Sequence, residues 1–263
     1  MMAKNIYLLL DMDGVFYNAE ERIPGGDEAI RFLDTQAIPY LFLTNTSSRP
    51  RSKLVQKLQR FDIVVPEEKI LTPPVAARRW LQENKVGPVA LFVPEATRQE
   101  FCSLETVSAR QPAAAVVIGD MGEAWDFSLL NDAFRLLMQN ENSMLIALGM
   151  TRFWKAEDGL RLDAGPYVKA LEFATGRQAK VFGKPSPEFY HAAISMLHAS
   201  PENTWMLGDD IINDVGAAQK LGLKAVLTRS GKFVPADLQR GVKPDAVIDS
   251  IAGLPELLQG IRG

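Results

Sequence analysis

This 263-residue chain holds only one cysteine, Cys102, and two histidines, His191 and His198. A lone cysteine excludes an intrachain disulfide and a zinc site built on Cys₄ or Cys₂His₂. Two histidines seven residues apart would sit about two helical turns from each other, a poor spacing for two ligands of one ion on a helix face. Excess positive charge is missing as well. The 29 Lys and Arg are outnumbered by 32 Asp and Glu, for a formal charge of −3, so nothing favours a nucleic-acid backbone or an anionic membrane. Long apolar runs are absent: Ile6 to Leu10 stops at Asp11, short of a signal-peptide core, and no stretch approaches the roughly 18–20 residues of a spanning helix. With 47% hydrophobic and 23% charged residues, the composition is that of a soluble, cytoplasmic globular protein with its own core.

Against those absences stands a regular alternation. Short continuous apolar runs lie at Tyr7–Leu10, Pro39–Leu43, Val89–Val93, Ala115–Ile118, Met144–Leu148, Lys180–Phe182, Thr204–Leu207 and Lys224–Leu227. Continuous rather than alternating runs predict strands buried on both faces. Amphipathic segments fall between them: Asp27–Leu33, Arg51–Phe61, Leu129–Met138, Tyr167–Phe173, Glu188–Leu197 and Asp214–Leu221. Strand–helix alternation predicts an α/β fold with a doubly wound, Rossmann-like parallel sheet. In such sheets ligands bind at the carboxyl ends of the strands.

Four strand ends carry candidate chemistry. Asp11 and Asp13 follow the first run, and Thr44, Asn45 and Ser47 the second. Lys184 follows Phe182, and Asp209, Asp210 and Asp214 follow Leu207. Clustered carboxylates repel one another unless a cation holds them, and an all-oxygen set without His or Cys suits Mg²⁺. Adding a lysine and hydroxyl donors describes a phosphoryl-transfer site. Asp11 can act as a carboxylate nucleophile and Asp13 as general acid, then base. Each residue also has a plainer role. Asp13-Gly14 is a common turn pair, Thr44 and Ser47 can cap the next helix, Lys184 can be a solvated surface lysine, and Asp214 can be an N-cap.

The motifs D-M-D-G-V at 11–15, T-N-T-S at 44–47, G-K-P-S-P at 183–187 and G-D-D-I-I-N-D at 208–214 occur in order, each after a strand-like run. Together they resemble the haloacid-dehalogenase-like hydrolase superfamily, and the similarity extends to S-G-K-F at 230–233. The resemblance implies that Asp11 is nucleophile and Mg²⁺ ligand. It makes Asp13 the acid/base, with its backbone carbonyl on the metal, and Asp209 the second metal carboxylate. Thr44 and Asn45 would hold phosphoryl oxygens and Lys184 would neutralise them, with Ser47, Asp210 and Asp214 as weaker candidates. The implied substrate is a small phosphorylated molecule.

Spacing locates a second domain. Asp11 to Thr44 and Lys184 to Asp209 are each one β–α–β step, whereas 140 residues separate Thr44 from Lys184. About 100 of them form an insertion with its own strand–helix pattern. The expected division is a core of 1–74 and 180–263 with an inserted α/β cap of 75–179, placed like the type-two cap of the resembled family. Within the cap, the segment 149–155 offers Arg152 and Trp154 just after a strand. They are candidates for substrate selection, against an alternative in which Phe153 and Trp154 belong to the cap's core. A homodimer stays open. The competing functions are a dehalogenase of the same superfamily, which would not need the acidic cluster, and a non-catalytic phosphate- or metal-binding module.

Overall fold

The structure is a computed structural model that describes residues 6–156 and 158–262, without the side chains of Lys155 and Arg262. Two compact units emerge: Met1–Thr44, Arg51–Leu71 and Lys184–Gly263 form the first, and Asn45–Pro50 with Thr72–Gly183 the second.

The first unit is built on a six-stranded sheet in which every pairing is parallel. Its spatial order is Ala246–Ile248, Lys224–Thr228, Thr204–Gly208, Tyr7–Asp11, Tyr40–Leu43, Ile70–Leu71. Leu8, Leu9 and Leu10 are all buried, as a strand covered on both faces requires. The chain steps one way from Tyr7–Asp11 to Tyr40–Leu43 and Ile70–Leu71. It then returns on the other side through Thr204–Gly208. The order therefore reverses between Tyr7–Asp11 and Thr204–Gly208, and the crevice at such a switch point is where α/β sheets bind ligands.

The helices obey the expected local rules. Gly26–Thr35 carries Asp27 and Glu28 in its first turn, where the helix dipole favours negative charge. It buries Ala29, Ile30 and Leu33 along one stripe. Pro187–Met196 starts where Ser186 accepts the Glu188 N–H, with proline at the first helical position. It ends near His198 in the left-handed region, and both His191 and His198 are exposed.

The second unit has its own parallel sheet, in the order Lys180–Val181, Met144–Ala147, Ala115–Ile118, Val89–Phe92, Thr106–Val107. Phe127–Gln139 and Ala164–Thr175 are capped by Asp126 and Asp163. Trp125 stacks between Phe92 and Tyr167, with centroids 6.3 and 4.7 Å away. One alternative needs correction here. Residues 153–156 form one arm of an antiparallel hairpin with Gly159–Leu162. Phe153 and Trp154 are 48% and 41% exposed, so neither belongs to this unit's core. A two-stranded ribbon has only one buried face at most, and here the Leu160 and Leu162 side chains also stay exposed.

Candidate active site

Strand register assembles the site. Leu10 pairs with Leu207, and Asp11 with Leu43, so the next residues out, Thr44 and Asp209, emerge beside Asp11 at the sheet's carboxyl edge. Asp209 and Thr44 are buried, as is Asp11.

Lys184 is not the solvated surface lysine that its base rate suggests. Its side chain is 6% exposed, and its ammonium lies 2.6 Å from Asp11 Oδ1 and 2.8 Å from Asp214 Oδ1. Burial works against its charge, but the two carboxylates prevail and raise it above the ordinary lysine range. Asp11 Oδ1 also accepts the Met12 N–H at 2.8 Å. Burial raises the Asp11 carboxyl, partly offset by Lys184. Asp214 is pushed up to about 7 by burial and then by the charge of Asp11, with Lys184 opposing.

Asp214 is also not an N-cap. The cap is Asp210, whose carboxylate accepts the Ile212 and Asn213 N–H groups. The turn that follows, Ile211–Gly216, is wound as a π-helix, a form frequent at functional sites. That winding directs Asp214 back to Lys184, and its Oδ2 accepts the Asp210 N–H at 3.2 Å. Gly208 permits the approach, because a Cβ there would collide with the Asp214 carboxylate. The Tyr190 hydroxyl, fully buried, donates to Asn213 O at 2.8 Å and fixes the same turn. Sequence reasoning missed Tyr190 because an aromatic on an amphipathic helix reads as core.

Asp11, Asp209 and Asp214 each present an oxygen within 4.8 Å of the others. Asp209 Oδ1 is buried and, among the described residues, has no hydrogen-bond partner. An acidic, all-oxygen group with an unsatisfied buried oxygen fits a hard divalent cation. Asp13, by contrast, is exposed, and bridges to Tyr17. Asn45 is exposed and opens the 45–50 segment of the second unit. There Ser47 accepts the Asp120 N–H at 3.4 Å through its hydroxyl and the Thr97 hydroxyl at 2.9 Å through its carbonyl. Arg152 lies over the Phe153 ring and Arg161 over the Trp154 ring.

Residues 8–106 match the family described as haloacid dehalogenase-like hydrolase, and residues 181–254 match a HAD-hydrolase-like family. The human protein named phospholysine phosphohistidine inorganic pyrophosphate phosphatase is 39% identical over 256 residues, covering 95% of this chain and 93% of its own. The chain belongs to the haloacid dehalogenase-like hydrolase family. Mouse haloacid dehalogenase-like hydrolase domain-containing protein 2 is 35% identical over 233 residues, covering 89% of this chain and 87% of its own. Among solved structures, a p-nitrophenyl phosphatase from Archaeoglobus fulgidus matches with a TM-score of 0.87 and 28% identity over 97% of this chain and 99% of that one. The named relatives are thus phosphatases or hydrolases. No helix among the described residues is long and apolar enough to cross a membrane.

The electrostatics of this hydrolase set a pH dependence. Asp214, Asp11 and Asp209 all have folded-state pKa values above their ordinary ones, led in each case by burial. A carboxyl raised on folding stabilises the protein below its unfolded pKa, and that contribution is lost as pH rises through the folded value. Metal-free protein should therefore lose stability from about pH 4 through about pH 7, the folded value of Asp214. A divalent cation favours the ionised carboxylates. The gain in melting temperature on adding Mg²⁺ is expected to be several degrees larger at about pH 8 than at about pH 5. Equal gains at both pH values would show that ion binding is not linked to the ionisation of this acidic cluster.

Proposed function

We propose that this hydrolase is a Mg²⁺-dependent phosphatase that takes a phosphoryl group from a small phosphorylated substrate onto Asp11 and passes it to water. The observation that carries the reading is the Lys184 ammonium bridging Asp11 and Asp214 beside the unsatisfied Asp209 Oδ1. The ion would be held by Asp11, Asp209 and the Asp13 carbonyl, and when bound it supplies positive charge against the phosphoryl oxygens.

The remaining steps belong to side chains. Met12 N–H and Lys184 both engage Asp11 Oδ1, which leaves Oδ2 for attack on phosphorus. Lys184 stays charged at neutral pH because two carboxylates face it, and so it lowers the repulsion between Asp11 and an anionic phosphate. Thr44 and Asn45 are proposed to hold phosphoryl oxygens, with Ser47, Asp210 and Asp214 as supporting residues. As the P–O bond to the leaving group breaks, Asp13 gives that oxygen a proton. It then takes a proton from the water that attacks the phosphorus of the Asp11 phosphate, which frees inorganic phosphate and restores Asp11. The second unit is proposed to act as the cap, with Arg152 and Trp154 recognising the organic group. The relatives' names suggest three substrate classes: phosphomonoesters, phosphoamidates and pyrophosphate.

Phosphate release from those three classes, with Mg²⁺ and after chelation, tests the reading. Turnover that vanishes on chelation supports it, and tight binding without turnover would favour a non-catalytic module. Asp13→Asn should slow alkyl phosphates at least about tenfold more than nitrophenyl phosphate, whose leaving group needs no protonation. Equal losses on both substrates would remove Asp13 from the acid role.

A further inference from the structure

The loop after Lys224–Thr228 carries none of the residues with an assigned role, yet it closes on the metal side of the site. Ser230 Oγ donates to the Gly14 carbonyl at 2.6 Å and lies 2.9 Å from Thr228 Oγ1. The Lys232 N–H donates to Asp209 Oδ2 at 2.6 Å. Gly231 and Gly14 both sit at positive φ, +69° and +79°, and a Cβ on either would collide with Asp209 Oδ2. That oxygen is therefore walled in by two backbones and tied to an amide. Its partner, Oδ1, is the buried oxygen without a hydrogen bond. A carboxylate fixed through one oxygen presents the other in one direction, which is how outer contacts tune a metal ligand. The same loop holds the carbonyl of Gly14, directly after Asp13.

We infer that Ser230, backed by Thr228, is a positioning residue of the divalent-cation site, locking the 11–14 loop and Asp209 into one arrangement. The inference rests on the reading that the acidic cluster holds Mg²⁺. Ser230 acts through its hydroxyl on the Gly14 carbonyl, and Lys232 through its backbone amide on Asp209. The Lys232 side chain takes no part in this contact, which the residue makes through its backbone N–H.

The test is direct metal binding by the full chain. The rise in melting temperature is followed against Mg²⁺, and Mn²⁺ binding is titrated by electron paramagnetic resonance, for wild type, Ser230→Ala, Ser230→Thr and Lys232→Ala. Ser230→Ala should weaken both ions by about tenfold or more, with the substrate KM at saturating Mg²⁺ unchanged within about twofold. Ser230→Thr, which keeps the hydroxyl, should recover most of the affinity. Lys232→Ala, which keeps the amide and loses the ammonium, should bind no more weakly than wild type. If Ser230→Ala fails to fold, Thr228→Val should still weaken binding by about threefold. Wild-type affinity in Ser230→Ala, or Ser230→Thr as weak as Ser230→Ala, overturns the inference. A fall in metal-free melting temperature with the affinity unmoved overturns it equally. Wild type that binds neither ion overturns the metal reading beneath it.

Discussion

Asp11→Asn is expected to cut turnover of any accepted phosphate compound by at least about a thousandfold while leaving the protein folded. Asparagine has the shape of aspartate but no anionic oxygen, so the substitution removes the nucleophile without opening a cavity. The fold should survive because Lys184 keeps Asp214 as a partner at 2.8 Å, and the neighbouring carboxylates lose a repelling charge. Burial and Asp11 together hold Asp214 up at about 7. Removing the Asp11 charge should let Asp214 ionise at lower pH, a change that NMR titration can read independently of activity. Retention of more than about a tenth of wild-type activity would place the nucleophile elsewhere.

The second large effect is on stability. Lys184→Met should lower stability by about 3–5 kcal/mol, since it leaves two buried carboxylates facing each other without their cation. The side chains of Lys184, Asp11 and Asp214 are 6%, 7% and 1% exposed, so solvent screens the pair little. For a chain of this length that corresponds to a melting temperature lower by roughly 10 °C. The deficit should widen as pH rises toward and beyond 7, where Asp214 ionises. Met fills the space of the lysine stem, which separates lost charge from lost packing. Mg²⁺ should restore part of the stability but little of the turnover, because phosphate would still meet Asp11 without the ammonium. A melting temperature within about 2 °C of wild type, independent of pH, would mean that Lys184 is not the counter-ion of this site.

The central strands were legible in the sequence for a physical reason. A parallel strand covered on both faces must be apolar at every position, and Leu8-Leu9-Leu10 and Tyr40-Leu41-Phe42-Leu43 are. Once those runs are placed, the residues just after them fall at the carboxyl edge, and the topology brings Asp11 beside Asp209. Lys180–Val181, one edge of the second sheet, was legible as an apolar run, but the other three sheet edges were not. Ile70–Leu71, Thr106–Val107 and Ala246–Ile248 are two or three residues long and leave no periodic trace. The hairpin at 153–162 escaped because its apolar residues face outward, contrary to the rule that an alternating strand buries them.

At the site, residue types were readable and orientations were not. Asp210 and Asp214 are both acids near a helix start, and nothing in D-D-I-I-N-D says which one caps. The π-helical winding decides, by placing Asp210 over the free N–H groups and turning Asp214 to Lys184. Lysine before proline gives no hint of burial either. Lys184 is buried because two carboxylates face it, Asp11 from a strand end and Asp214 from the π-helical turn, a relation that only the fold creates. Tyr190 and Ser230 lie outside the four motifs and act on backbone carbonyls of Asn213 and Gly14, so even where S-G-K-F was noticed its contact was not readable.

The central claim is that Asp11 carries the phosphoryl group between substrate and water. Acid quenching within a single turnover, followed by mass spectrometry of the peptide that contains residues 11–14, examines it directly. The account predicts a phosphoryl adduct on Asp11 that forms only with Mg²⁺, disappears on longer incubation and is absent from Asp11→Asn. Full phosphate release with no adduct at any time, or an adduct on another residue, would contradict it.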